Sequence, residues 1–280
     1  MRLLGIVAIL ALFVGCQKED PSLGDPPSAA DAQFTYSEDS QSPNIINFTA
    51  SSDEAQYLWD FGNGVTAKGT SVQAMYPYAG TYTVTLTMYA KGGSASSTQD
   101  IVIAQDDLSL LSNPVYGHLT GGTSGPGYRT WYVDSLASGH MGVGPDPESA
   151  LGPIPEWWSA GAGEKPGCGL YNDRYTFYLN GFGFDHVTNG SVYIHNSLAG
   201  SFPGSYQNLG DFTAPYPDQL GESWSFSESE NTITISNNAH IGFFTGPRVY
   251  RILEISDTTM SLQYGHHEGG LLWYAKLRAE

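Results

Sequence analysis

Polar and apolar residues alternate in a series of short runs along this chain, and nowhere recur at convincing helical spacing. The clearest case is 81–88, where Tyr82, Val84, Leu86 and Met88 alternate with Thr81, Thr83, Thr85 and Thr87. A period of two sends one row to a core and the other to water, which predicts a half-buried strand. Similar runs at 45–49, 56–60, 80–89 and 97–104, parted by Gly, Ser, Asp and Asn, predict a first group of strands. A second group is predicted at 128–133, 175–179, 191–195, 232–236, 240–244, 249–255, 259–264 and 271–277. At most a short turn is expected at 153–160. Many strands without helices predict an all-β chain of two stacked-sheet units. The first spans 31–105, a linker covers 106–113, and a larger jelly roll or sandwich covers 114–280.

One apolar run does not alternate. Met1-Arg2 precedes an apolar stretch over 3–14, too short to span a bilayer as a helix and of signal-peptide length. It ends Phe13-Val14-Gly15-Cys16, and residues 1–16 resemble a bacterial lipoprotein signal in which Cys16 becomes the lipidated first residue. The family usually carries Leu where this chain has Phe13; the small Gly15 keeps the pattern. Residues 17–30, rich in Pro, Ser, Asp and Ala, read as a flexible tether. The acidic Glu19-Asp20 within Gln17-Lys18-Glu19-Asp20 resembles the export tag of surface lipoproteins of glycan-degrading Gram-negative bacteria. That resemblance implies a lipid-anchored protein on the outer face of the outer membrane.

Trp59-Asp60-Phe61-Gly62-Asn63-Gly64, followed by Tyr76-Pro77-Tyr78-Ala79-Gly80-Thr81-Tyr82, resembles the PKD domain, an immunoglobulin-like sandwich. The family usually has Asp at the place of Asn63. The resemblance implies a spacer or interaction module, with Trp59 filling the core between its sheets.

Composition narrows the partners. Lys plus Arg number 11 against 28 Asp plus Glu, a net charge of -17. Nucleic acid is excluded for want of a basic footprint, and polyanionic glycans are disfavoured by the same reasoning. A neutral ligand fits this charge. Cys16 and Cys168 are the two cysteines, so with Cys16 lipidated no internal disulfide is expected.

The candidate chemistry lies in 129–177. Trp131, Trp157 and Trp158 are half of the six Trp, set among Gly/Pro-rich loops at 137–155 and 159–169. Loops that long usually carry function. Pyranose rings present C–H patches that stack on aromatic faces, while their hydroxyls need directional polar partners. The candidate ligand-binding residues are Trp157, Trp158, His140, Tyr171, Asp173, Arg174 and Trp131. Each has a plainer reading. Trp131 alternates with Arg129 and Val133 and suits a core. Trp157 and Trp158 are adjacent, so in an extended segment they face opposite ways and one stays exposed. His140 donates to a sugar hydroxyl or bonds its own turn. Asp173 accepts from hydroxyls, pairs with Arg174 or caps a turn. Asp134, Asp146 and Asp185 supply oxygen for a structural Ca²⁺, but their spacing matches no loop motif. No other cofactor is expected.

From Trp131 through Gly139-His140-Met141 and Glu156-Trp157-Trp158 to Tyr171-Asn172-Asp173 the chain resembles PKD-bearing surface glycan-binding lipoproteins. These act beside the porin and lid proteins of starch-utilisation-type uptake systems. The resemblance implies non-catalytic binding of a neutral polysaccharide, by preference a β-glucan such as laminarin. Two alternatives stay open. A jelly-roll glycoside hydrolase needs two carboxyl groups at a set separation; Glu-x-Asp-x-x-Glu is absent, and Glu228 with Glu230 reads as an exposed turn. An adhesion or scaffold protein would expose aromatics too.

Overall fold

The computed structural model describes residues 24–52 and 55–280. The expected signal, Cys16 and the first part of the tether lie outside the described residues. The chain is all-β, an immunoglobulin-like sandwich followed by a larger β-domain.

The first unit holds β1 (Phe34–Glu38), β2 (Ile45–Ala50), β3 (Gln56–Asp60), β4 (Thr66–Lys68), β5 (Ser71–Met75), β6 (Gly80–Ala90) and β7 (Gly93–Ile103). β1-β2-β5 faces β4-β3-β6-β7. Trp59 fills the space between the sheets, with Phe34, Phe48 and Phe61 around it at 5.1, 5.7 and 6.4 Å. Its indole N–H, fully buried, donates to Gly69 O at 2.8 Å. Asn63 is the better residue for its turn than Asp would be. Its amide donates to Met75 O while its carbonyl accepts from Val65 N–H, and a carboxylate could do only the second.

Between the units, Asp107 caps a 3-10 turn and Asn113 caps α1 (Pro114–Thr120). Asn113 Oδ1 accepts from Val115 N–H, Pro114 opens the helix, and Gly121 closes it in the left-handed region. No helix is expected from the alternation. Seven residues are too few to show a helical stripe, and only the caps mark it.

The second unit holds β8 (Tyr128–Val133), β9 (Met141–Pro145), β10 (Trp158–Ser159), β11 (Arg174–Tyr178), β12 (Gly183–Val187), β13 (Ser191–Ile194), β14 (Tyr206–Asn208), β15 (Asp211–Pro215), β16 (Gln219–Ser227), β17 (Thr232–Ile235), β18 (Val249–Ile255), β19 (Thr259–Gly265) and β20 (Leu271–Ala279). The main sheet runs β10-β9-β20-β19-β18-β17-β16-β12-β11-β8, and β20 also pairs with β8. The long β20 makes both ends meet: Leu271 to Ala275 pair with β9, and Leu277 to Ala279 with β8. The sheet therefore curls round until it closes on itself, all antiparallel, leaving β9 and β10 as a flap beside the ring. Closure removes most of the edge that an open sheet would expose.

Inward residues fill the ring rather than leave a channel. Trp131, Tyr175, Phe177, Phe184, Trp224, Ile233, Tyr250, Leu262 and Leu277 are buried on successive strands. α1 closes one end: Tyr116 lies 5.9 Å from Trp224, and Trp131 Nε1 donates to Leu119 O at 3.1 Å. The first unit also meets this end, where Ser223 Oγ donates to Gly64 O at 2.8 Å.

The run 240–244, expected as a strand, is instead a buried loop that stops the other end. His240, Ile241 and Phe243 are sealed in, and inward tyrosines satisfy its backbone. Tyr250 OH accepts from Ile241 N–H and Tyr175 OH from Gly242 N–H, each at 2.9 Å. A buried loop survives only when its amides are paired in this way.

Candidate functional site

Strand direction sorts the connections. The turns at 179–182, 228–231 and 256–258 sit at the α1 end of the ring, while 134–173, 188–218, 236–248 and 266–270 all leave the opposite end. Long connections gathered at one end of a rigid barrel are where a binding surface is built. Glu228 and Glu230 sit at the other end, exposed in a turn.

Trp157 and Trp158 face opposite ways, as adjacency requires. Trp158 pairs with Val143, which pairs with Trp273, so the three share the inner face. Trp158 is half-buried there, with Lys165 Nζ 4.8 Å above its ring. Lys165 is itself buried, its ammonium donating to Leu209 O at 2.8 Å beside the Tyr193 ring. Trp157 points outward and is 58% exposed. Among the described residues no ring or cation stacks on it, so a flat aromatic face is left open.

The loop before Trp157 roofs the outer face of β9, β20, β19 and β18. Glu148 anchors it, its Oε1 accepting from Arg251 at 2.6 Å and from Gln263 Nε2 at 2.9 Å. Gly142 and Gly144 let it come close: a Cβ on Gly142 would lie 2.5 Å from Pro155 Cβ, and one on Gly144 3.0 Å from Ile154 O. Under the roof is a cleft of about 430 Å³ lined by Ser138, Pro155, Ser159, Glu254, Tyr274 and Lys276, among others. Trp157 lies in the chain between the lining residues Pro155 and Ser159. The cleft combines apolar walls with a few polar groups, as a small-ligand site does. Glu254 is the one carboxylate among the lining residues.

Gly142→Ala tests the roof. The methyl meets Pro155 and Trp158 O, and we expect a loss of about 1–3 kcal/mol with displacement of 153–155. Thermal unfolding and proteolytic nicking of that loop would read it; unchanged values would show that the close approach is not required.

The other expected ligand-binding residues are placed differently. His140 is fully buried with both nitrogens occupied. Tyr171 OH accepts from Lys165 N–H at 2.9 Å and so donates to His140 Nε2 at 2.7 Å, leaving Nδ1–H for Ala137 O at 2.9 Å. The sugar-facing reading of His140 is therefore corrected: with the Tyr171 hydroxyl it braces the 134–173 loops against each other. Burial pushes the His140 pKa down, keeping the ring neutral. Asp173 is also fully buried, since it continues the inward row of Tyr175 and Phe177. Its Oδ2 accepts from Tyr175 OH at 3.0 Å and lies 3.4 Å from His186 Nε2, so it neither meets solvent nor pairs with the Arg174 side chain. Burial raises its pKa to about 6, against the pull of His186. Arg174 bonds Glu280 and the carbonyls of Tyr171 and Asp173, and lies 5.0 Å from the Tyr132 ring. Trp131 is core. Cys168 is a buried thiol pushed up to about 11 by burial, which makes it a poor nucleophile.

Among the described residues, His266, His267 and Glu268 form a group close enough to share an ion, and His195 Nδ1 lies 3.1 Å from His266 Nε2 beside it. Asp134 is held by Arg278, Asp185 by Tyr178 and Gly221 N–H, and neither they nor Asp146 are gathered into a Ca²⁺ cage.

Residues 25–104 match the PKD domain family. The first unit is a PKD domain. Among solved structures, the PKD1 domain of the Vibrio cholerae metalloprotease PrtV is 31% identical, covering 26% of this chain and 95% of its own, with a TM-score of 0.23. The PKD1 domain of Vibrio anguillarum Epp is 28% identical, covering 26% of this chain and 92% of its own, also at 0.23. A structure titled for the promiscuous specificity of carbohydrate-binding modules of the β-sandwich superfamily is similar over 92% of this chain and 93% of its own. Its identity is 15% and its TM-score 0.24. No curated protein matches the chain.

Proposed function

We propose that the protein binds a neutral polysaccharide without cleaving it, through the outer-face cleft and Trp157. The observation that carries this reading is the open indole face of Trp157, 58% exposed on the loop that roofs the cleft. Stacking of a sugar ring on that face would supply most of the affinity, and Ser138, Ser159, Glu254 and Lys276 would orient the hydroxyls. The net charge of -17 favours an uncharged glycan, and we put a β-glucan such as laminarin first.

The single carboxylate in the cleft supports binding over hydrolysis, which needs a second carboxyl group about 5–10 Å from the first. We further propose that Cys16 is lipidated, placing the protein on the outer face of the outer membrane beside a porin and lid uptake complex. The PKD domain, docked at the end opposite the long loops, would then hold the cleft away from the membrane. Individually weak sites at high surface density would capture polymer by avidity.

Affinity electrophoresis in gels holding laminarin, mixed-linkage glucan, mannan, xylan or alginate tests the reading, with each glycan also assayed for new reducing ends. We expect retardation by a neutral glucan, none by alginate and no new ends. New reducing ends would sink the non-catalytic reading; no retardation by any glycan would favour an adhesion or scaffold role.

A further inference from the structure

We propose that His195, His266 and His267 form a binding site for a divalent transition-metal ion of the zinc class, with Glu268 beside it. The site lies at the loop end of the barrel, where the chain leaving β13 meets the turn between β19 and β20. Three imidazole nitrogens converge there on one point. Ser197 Oγ lies 2.8 Å from His195 Nδ1, 2.7 Å from His267 Nε2 and 3.5 Å from His266 Nε2. His195 Nδ1 and His266 Nε2 are 3.1 Å apart. Tetrahedral zinc with bonds of about 2.0–2.1 Å sets its nitrogens about 3.3 Å apart, so these two rings already hold nearly the required separation. Donor atoms of His266, His267 and Glu268 lie within 4.8 Å of one another.

The rings are held rather than loosely grouped. His266 is buried, its ring 4.3 Å from that of His195 and 4.5 Å from that of His267. Phe243 and Trp273 wall the His195 ring at 6.1 and 5.7 Å.

Capture requires the Ser197 hydroxyl to rotate out of the convergence point. It also moves the His266 proton from Nε2 to Nδ1, displacing the 3.2 Å bond from Glu268 N–H. The Glu268 carboxylate can then take that proton as a hydrogen bond or fill the fourth position. Imidazole donors select zinc, cobalt, nickel or copper over calcium and magnesium. A bound ion would tie 188–218 to the β19–β20 turn. The site is separate from the outer-face cleft, so either reading can fail alone.

The test uses the tag-free full chain, kept in detergent and stripped with chelator. Co²⁺ titration should give the visible bands of a four-coordinate nitrogen site, saturating at one equivalent, and Zn²⁺ should displace it while Ca²⁺ and Mg²⁺ do not. His267→Ala, at an exposed position, and His195→Ala should each abolish the bands, His267→Ala without changing the metal-free Tm. Absence of a saturable Co²⁺ band overturns the proposal. So do bands that persist in both variants.

Discussion

Replacing Trp131 by Ala should cost about 3–5 kcal/mol in the second unit, whereas Trp157→Ala should stay within about 0.5 kcal/mol of the parent. Both residues begin as candidate platforms, and burial separates them. Trp131 is wholly enclosed, and its indole N–H holds Leu119 O, so truncation leaves a cavity and also an unpaired carbonyl where α1 closes the barrel. Trp157 keeps most of its surface in water already. Calorimetry resolves the outcome, because the PKD domain has its own core and should keep its transition while that of the barrel falls. A Trp131→Ala barrel of parental stability would contradict the inward placement of that strand face.

His240→Phe should gain stability relative to the parent as pH falls. His240 is sealed between the rings of His186 and Phe244 at 4.6 and 4.5 Å, and neither of its nitrogens makes a well-formed hydrogen bond, though the Asn238 backbone pulls its pKa upward against burial. Burial drives its pKa well below the ordinary value, and the nearby His186 and Arg248 push the same way. The unfolded chain takes up this proton below about pH 6.5 and the folded chain does not, so the parent loses up to about 1.4 kcal/mol per pH unit from this group as pH falls. Asp173 works in the opposite sense. Its folded pKa of about 6 means that its contribution is present below the ordinary carboxylate value and is lost as pH rises through about 6. Asp173 and His240 thus oppose each other as pH falls below about 6, while the depressed His140, His195 and His266 act in the same sense as His240, so only the difference between variant and parent isolates His240. Chemical denaturation at pH 7, 6 and 5 should show that difference growing at each step. A constant difference would mean that His240 protonates in the folded state.

Alternation made the strands legible, because β6 or β20 must show its inner row to a core. It could not distinguish a strand from a plug: 240–244 is apolar for the same reason as a strand, being buried on every side, yet its amides are met by tyrosine hydroxyls. Asp173 was half legible. Counting back by twos from Phe177 and Tyr175 points it inward, but its partner His186 arrives from the neighbouring strand, opposite Tyr175. The histidine cluster was beyond reach, since His195 and His266 stand 71 positions apart and are brought together across the 236–248 loop, where Phe244 O accepts from His195 N–H and Thr245 O from His267 N–H. Lys165 likewise read as a loop residue, and only the fold seats it over Trp158. The Trp157–Trp158 pair was the most legible feature of the site, because adjacency alone dictates opposite faces.

The most direct measurement is affinity electrophoresis of the parent and Trp157→Ala in gels holding laminarin, with Trp131 intact and both proteins checked for equal Tm. Retardation of the parent and free migration of Trp157→Ala would place the sugar on the exposed indole. Equal retardation of the two would contradict the outer-face cleft as the binding site.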